Sequence, residues 1–324
     1  MTASARPILE RKPDVEAHAL ESLVRKAFGA DVPITHQRAP DGLCTQVYRL
    51  TRGDDVFYLR LADEAHQNLQ TDATLLLRLE GLGVRVPHVV HVEPYDEQIG
   101  RSVLITTAIR GVPLEQVASR AAAADVLREA GKDIALLNQV PVDGFGWIRH
   151  DGSGSLHAQL GSYAEFVTAG LPAGWPHLLA GVFTADELDV MEALVELERA
   201  RITPAATLAH GDFKLAHIYI QRGSYTGLID FGEIRGTDPF FDLGYFQLNV
   251  PDPYEGSLLP AVVEGYESVR TLPDGHLETI RRCAVVHGLP ELCGWLHPTR
   301  DLGPDHPVVA ARASRISELL AQPD

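Results

Sequence analysis

The spacing of apolar residues changes once along this 324-residue chain, at about residue 110. Before that point the segments TQVYRL (45–50), VFYLRLA (56–62) and RSVLITTAI (101–109) have the short, β-rich composition of strands. The turn TRGDD joins the first two, which predicts a hairpin. Helical spacing dominates after residue 113, as in 119–139 and 184–202. The chain is therefore predicted to be α+β, with a small antiparallel-sheet lobe at 1–108 and a larger, mainly helical lobe at 109–324.

The composition is that of an ordinary soluble globular protein, with 45% hydrophobic and 22% charged residues. The sequence contains no apolar run of about 18 residues, so we expect no membrane span and a cytoplasmic location. The three scattered cysteines indicate neither a disulfide framework nor a CxxC metal site. The net charge of −16 argues against nucleic-acid binding and is compatible with a cationic small-molecule partner, although solubility alone also explains it.

Two neighbouring segments interrupt the helical half: HGDFKLAHIYI at 210–220 and GLIDFGE at 227–233. A hairpin joining 217–221 to 226–230 would bring His217 and Asp230 together, close to Asp212. Phosphoryl transfer requires a group that orients the attacking hydroxyl, metal ligands, and positive charge on the phosphates. Each residue taken singly has an ordinary structural explanation, such as capping a turn or ending a hairpin. The ordered combination favours a phosphoryl-transfer centre.

HGDFKLAH resembles the catalytic loop of the aminoglycoside and macrolide phosphotransferases, which have a protein-kinase-like fold. LIDFGE followed by DPFFDLG resembles their metal-binding segment. The resemblance implies that Asp212 is the catalytic carboxylate, that Lys214 contacts phosphate, and that His217 and Asp230 hold the metal.

Two further residues receive structural roles from the same resemblance. His210 is expected to hold the catalytic loop, and Asp242, in DPFFDLG, to brace that loop by accepting backbone hydrogen bonds. For Asp242, a carboxylate at a helix N-terminus is an equally good explanation.

The histidine at 217 is the departure from the family pattern, because most relatives carry Asn there. The aminoglycoside 2″- and macrolide 2′-phosphotransferases are similar to this chain in having His, and they often use GTP, sometimes alongside ATP. The implied cofactor is Mg²⁺, with ATP or GTP as the phosphoryl donor. Because an imidazole suits manganese better than magnesium, we expect Mn²⁺ to substitute well. Since only neutral imidazole binds a metal, activity should fall as the pH drops through about 6.5.

The N-terminal lobe is expected to hold the nucleotide. The resemblance places Arg60, in FYLRLA, at the phosphates and Asp72 opposite it as an ion-pair partner. The backbone around Thr107–Ile109 should face the base, and the loop DGLCTQ (41–46) should cover the phosphates.

The identity of the acceptor is not determined by the family, whose members act on diverse hydroxyl compounds. An aminoglycoside-like acceptor would need carboxylates, and Glu233 and Asp238 are the candidates nearest to the metal segment. A macrolide, metabolite or sugar acceptor, and a nucleotide-binding pseudokinase, are alternatives. A metal-dependent hydrolase is less favoured because no HxH or HExxH motif is present. We expect a monomer or weak dimer.

Overall fold

A computed structural model describes residues 13–29, 33–39, 46–64, 67–117, 120–250, 258–300 and 302–322. Nearly all of the loop expected to cover the phosphates, at 41–46, lies outside these residues. Within the described ranges, no helix combines the length and hydrophobicity needed to cross a membrane.

A five-stranded antiparallel sheet forms the N-terminal part, with strand order β1-β2-β3-β5-β4. Its strands are β1 (Thr35–Arg38), β2 (Gln46–Arg52), β3 (Asp55–Leu61), β4 (Val89–Asp96) and β5 (Arg101–Thr107). The predicted hairpin is β2–β3, whose turn has Gly53 at φ +57°, a conformation that glycine adopts readily. Helices α1 (Ala17–Phe28) and α2 (Gln70–Gly81) accompany the sheet. Leu20 and Leu23 of α1 pack on inward-facing Leu50, Leu59 and Ile105 of the sheet.

The remainder is mainly helical, as the periodicity predicts. Its helices are α3 (Arg120–Leu137), α4 (Tyr163–Thr168), α5 (Trp175–Leu179), α6 (Ala185–Ala200), α7 (Phe241–Asn249), α8 (Leu258–Glu267), α9 (His276–Leu296) and α10 (Pro307–Ala321). Thr184 and Glu187 form a capping box at the start of α6, which satisfies backbone donors that the first helical turn leaves unpaired. The predicted α+β class is confirmed, whereas the division at residue 108 stays a prediction.

Two small sheets inside the helical part position the candidate site. Strands β6 (Val112–Pro113), β11 (Ile218–Gln221) and β12 (Ser224–Leu228) form one of them. The other contains β7 (Pro141–Val142), β8 (Phe145–Ile148), β9 (Ala158–Leu160), β10 (Ala206–Ala209) and β13 (Arg235–Thr237). The β11–β12 hairpin pairs Ile218 with Leu228, so the residues just outside it, His217 and Ile229, are also adjacent.

The N-terminal part is joined to this hairpin through backbone contacts. The amide of Leu228 donates to the carbonyl of Arg85, which lies between α2 and β4. The hydroxyl of Thr226 donates to the carbonyl of Arg110, just after β5. These bonds join the first part of the chain to the β11–β12 hairpin, whose base carries His217 and Asp230.

Candidate active site

The loop that follows β10 is held by one buried carboxylate. The amides of His210 and Gly211 donate to the two oxygens of Asp242, at 2.8 and 2.9 Å. Asp242 is fully buried in the first turn of α7, and burial raises its pKa to about 6. The two backbone donors and the nearby Arg235 favour its charged form and limit that rise. Asp242 thus fixes where the loop turns away from its strand.

His210 is a structural residue of this loop. Its Nε2 donates to the carbonyl of Ile229 at 2.9 Å, and its Nδ1 accepts from the amide of Asp212 at 3.3 Å. Burial lowers the pKa of His210 to about 4, so the ring is neutral at physiological pH. A neutral ring has one donor and one acceptor nitrogen, and both are used here to tie the loop to the segment before Asp230.

The Asp212 carboxylate lies at the centre of a group of polar side chains. The Nζ of Lys214 is 2.9 Å from its Oδ1 and 3.0 Å from its Oδ2. Burial by itself would raise the pKa of Asp212, but His217 and Lys214 lower it below the ordinary value. The group is therefore a carboxylate at neutral pH, able to accept a hydrogen bond from a hydroxyl.

His217 and Asp230 face each other across the base of the hairpin. The Nδ1 of His217 is 2.9 Å from the carbonyl oxygen of Asp212, so this nitrogen carries the proton. Its Nε2 lone pair then points toward Asp230, whose Oδ2 is 3.5 Å away. One potential ligand atom from each of Asp212, His217 and Asp230 lies within 4.8 Å of the others.

Asp230 has an uncommon backbone conformation, with φ +65° and ψ +64°. Non-glycine residues rarely adopt this left-handed region, and Asp is among those that tolerate it. The following Phe231 is buried against the ring of His210, with centroids 4.7 Å apart. This turn leaves the Asp230 carboxylate about half exposed and directed at His217.

The ion pair expected between Arg60 and Asp72 is present in the structure. The Nη1 of Arg60, on β3, is 3.3 Å from Oδ1 of Asp72, on α2. A residue that the sequence did not indicate completes the arrangement, because Nε2 of His150 lies 3.0 Å from Oδ2 of the same carboxylate. His150 follows β8 in the glycine-rich segment 144–154, and neither spacing nor composition singled it out.

Part of the segment expected to face the nucleotide base forms hydrogen bonds with the end of the loop that precedes β4. The amide of Thr107 donates to His88 and its hydroxyl accepts from the amide of His88. Ile109 lies against the hairpin, since a Cβ on Gly227 would be 3.0 Å from its Cδ1. Contact of Thr107 and Ile109 with a base stays a prediction.

The two predicted acceptor contacts differ in their surroundings. Glu233 is partly exposed and lies 3.3 Å from Arg235, close to the metal-ligand candidates. The prediction for Asp238 is wrong: its side chain is 1% exposed, forms an ion pair with Arg201, and accepts from the amide of Phe240. Asp238 therefore anchors the turn before α7 instead of facing an open cleft.

Sequence reasoning missed two other groups near Asp212. Glu291, on α9, has a pKa raised mainly by burial, and the negative charge of Asp212 adds to that rise. Its Oε2 is 2.8 Å from Arg312. Tyr245, on α7, also lies beside Asp212. A carboxylate on a long helix carries no local signal that it points into a site, so only the packing of α7, α9 and α10 reveals them.

Buried Arg235 connects the two chemistry-bearing segments. Its guanidinium lies between the rings of Trp147 and Phe241, 4.2 and 4.7 Å from their centroids. The Nε donates to the carbonyl of Glu233, and Nη2 is 3.5 Å from the carbonyl of Gly211. The loop at 210–214 and the turn after Asp230 are thus held by one side chain.

A family model described as the phosphotransferase enzyme family matches residues 35–278 of this chain. A comparison with curated protein sequences gave no significant match.

Solved structures give the fold. A thermostable mutant of the aminoglycoside phosphotransferase APH(4)-Ia, in a ternary complex with ADP and hygromycin B, has a TM-score of 0.66 at 16% identity, covering 94% of this chain and 100% of that chain. A putative aminoglycoside phosphotransferase from Ralstonia eutropha has a TM-score of 0.61 at 14% identity, with 94% and 99% covered. A putative fructosamine-3-kinase from Thermobifida fusca has a TM-score of 0.58 at 17% identity, with 94% and 100% covered. The predicted kinase-like fold is thereby confirmed.

Proposed function

We propose, from the premise that this chain belongs to the phosphotransferase enzyme family, that it moves the γ-phosphoryl group of ATP or GTP to a hydroxyl of a cationic, aminoglycoside-like molecule. Its general activity, phosphoryl transfer to a small molecule, follows from the family. The donor, the metal and the acceptor are the proposal.

The observation that carries the proposal is the convergence of Asp212, His217 and Asp230. Asp212 is an ionised carboxylate held in place by Lys214, with its loop fixed by Asp242. In the proposed reaction Asp212 accepts a hydrogen bond from the acceptor hydroxyl and orients it toward the phosphorus, the role this chemistry requires of a protein carboxylate.

The donor set fits a divalent metal ion. His217 would offer Nε2, because its Nδ1 proton is used by the Asp212 carbonyl, and Asp230 would offer a carboxylate oxygen. An outer hydrogen bond that fixes the tautomer is typical of metal-binding histidines. When bound, Mg²⁺ or Mn²⁺ would neutralise negative charge on the β- and γ-phosphate oxygens.

The nucleotide is proposed to lie between the two parts of the chain, with Arg60 and Lys214 neutralising phosphate charge. Arg60 is partly exposed and held by buried Asp72, so its guanidinium is presented in one orientation. The base would contact the backbone around Thr107 and Ile109. The neighbouring APH(4)-Ia structures, which contain ADP or AMP-PNP, support a nucleotide donor.

The acceptor is proposed to approach Asp212 from the side of α7 and α9, where Glu233, Glu291 and Tyr245 lie. Carboxylates there, and the net charge of −16, favour an acceptor that carries ammonium groups. The hygromycin B complex of the neighbour is consistent with that class. A metabolite or sugar acceptor is the alternative, supported by the likeness to putative fructosamine-3-kinases.

A resistance and product assay tests this proposal. The chain is expressed in a sensitive bacterium and challenged with aminoglycosides and macrolides, with an Asp212→Asn variant as control. Purified protein, MgATP or MgGTP, and each compound are then analysed by mass spectrometry. We expect one phosphoryl group on an aminoglycoside, absent with Asp212→Asn. Phosphorylation confined to glycated amines or sugars would favour the alternative acceptor, and no nucleotide turnover with any acceptor would favour a pseudokinase.

A further inference from the structure

A short segment after β8 reaches across to the nucleotide-binding part of the chain. We call residues 149–152 the bridging segment. The amide of Asn68 donates to the carbonyl of His150 at 3.1 Å. A Cβ at Gly152 would be 2.6 Å from the side-chain nitrogen of Asn68, so the Asn68 side chain lies directly against the Gly152 backbone. Asn68 in turn accepts from the amide of Gln70, the first residue of α2. The bridging segment therefore touches the residue whose side chain accepts from the first amide of α2.

The same segment reaches the ion pair that α2 carries. Nε2 of His150 is 3.0 Å from Oδ2 of Asp72, while Nη1 of Arg60 is 3.3 Å from Oδ1. The Asp72 side chain is only 2% exposed. A buried carboxylate needs compensating charge, and here Arg60 lies beside one oxygen and the His150 ring beside the other. Oδ2 has no aligned hydrogen-bond donor, so what His150 supplies at 3.0 Å is a charge contact when its ring is protonated.

The other end of the bridging segment continues directly from β8. Strand β8 pairs with β13, and the amide of Ile148 donates to the carbonyl of Ile234. Strand β13 begins five residues after Asp230. The bridging segment is thus linked through β8 and β13 to the turn that carries Asp230, and through the His150–Asp72 contact to the carboxylate that holds Arg60.

We propose that His150 is a positioning residue for the phosphate-binding cation: it holds Asp72, and through Asp72 it aims Arg60 at the nucleotide. This inference rests on the proposed function, because it takes the nucleotide to be the ligand of Arg60. The bridging segment sets the distance between the phosphate-binding and metal-binding halves of the site. The imidazolium form of His150 strengthens the hold by adding positive charge next to a buried carboxylate.

The charges around His150 set the direction of the pH effect. Asp72 contacts the ring, Arg60 lies on the far side of Asp72, and Asp151 is the chain neighbour. The contact with Asp72 raises the pKa of His150 above its ordinary value, against the opposing effects of burial and Arg60. A raised pKa means that the charged contact is present at low pH and is lost as the pH rises through that pKa.

Direct binding of MgADP, followed by calorimetry, tests the role of His150. We expect His150→Ala to weaken MgADP binding about tenfold, a factor equal to about 1.4 kcal/mol. We expect Asp72→Asn to weaken it similarly, and the double variant to be no weaker than either single one, because the two residues act through one path. His157→Ala is the matched control: this exposed histidine pairs with Asp143 and does not reach Asp72, so binding should not change.

His150→Gln separates positioning from simple packing. The new side chain is a donor that stays neutral, so the ratio of the MgADP dissociation constant of His150→Gln to that of the wild type should be about fivefold higher at pH 6 than at pH 8. Taking the ratio cancels the titration of the nucleotide itself. A ratio that does not change with pH, effects of His150→Ala and Asp72→Asn that multiply, or unchanged binding by His150→Ala would each overturn the inference. Failure of the wild-type protein to bind MgADP would instead refute the proposed function.

Discussion

The close approach of Gly211 to Glu233 gives the sharpest test of the active-site geometry. Gly211 has φ +84°, and a Cβ added to it would be 1.9 Å from the carbonyl oxygen of Glu233. Cβ atoms essentially never come closer than 3.0 Å to a heavy atom, so Gly211→Ala must separate the two segments by about 1 Å. The neighbouring Arg235 side chain, 2.9 Å from the same position, leaves no room for the methyl group on that side.

Two costs follow from this substitution. Left-handed backbone at a non-glycine residue costs about 1–2 kcal/mol. The clash adds overpacking strain of about 1–3 kcal/mol. Misplacing catalytic groups by about 1 Å can lower the rate on the order of 100-fold. Because Gly211 directly precedes Asp212 and its own amide is bound by Asp242, that displacement would move the proposed catalytic carboxylate.

Gly223→Ala is the matched control. Gly223 lies in the β11–β12 turn with φ +81°, yet a Cβ there meets nothing within 4 Å. Both variants carry the same backbone strain, and only Gly211→Ala adds the clash. We expect Gly223→Ala to lose about 1 kcal/mol of unfolding free energy in urea with unchanged phosphoryl transfer, and Gly211→Ala to lose about 100-fold in kcat. Equal activities of the two variants would refute the reasoning.

Three further predictions address separate parts of the structure. Asp230→Asn should lower metal-dependent nucleotide hydrolysis about 100-fold with a similar melting temperature, because Asn also tolerates left-handed backbone; retained metal-dependent activity would count against ligation by Asp230. His287, on α9, has a pKa lowered to about 4 by burial, so the unfolded chain binds its proton more readily and stability is lost as the pH falls from 6.5. Between pH 7 and pH 5, the free energy of unfolding measured in urea should fall by about 2 kcal/mol less for His287→Leu than for the wild type; equal falls would contradict this. Arg235→Lys loses the stacking between Trp147 and Phe241, and should reduce kcat about tenfold with little change in the KM for nucleotide; a KM effect alone would contradict its bracing role.

Local patterns in the sequence located the central part of the site. A hairpin of known length forces its two outer ends together, so the proximity of His217 and Asp230 follows from the spacing of two short strands. The pairing of Arg60 with Asp72 was inferred through resemblance, and the reach of the two side chains allows it. These are relations between neighbouring elements, which chain connectivity constrains strongly.

Asp238 shows where such reasoning stops. Its position beside the metal segment suggested a substrate contact, but a carboxylate near a site can point inward as easily as outward. Here the Asp238 carboxylate forms an ion pair with Arg201, which follows α6. No pattern around residue 238 reveals that partner. A buried charge requires a counter-charge, and the fold decides which one is within reach.

The sequence by itself determined the α+β class, the hairpin and the identity of the groups that converge at its base. Tertiary structure alone decided that His150 lies beside Asp72, that Arg235 is enclosed by two aromatic rings, and that Glu291 pairs with Arg312. The physical reason is range: periodicity and turn chemistry act over a few residues, whereas burial and ion pairing depend on which distant segments pack together.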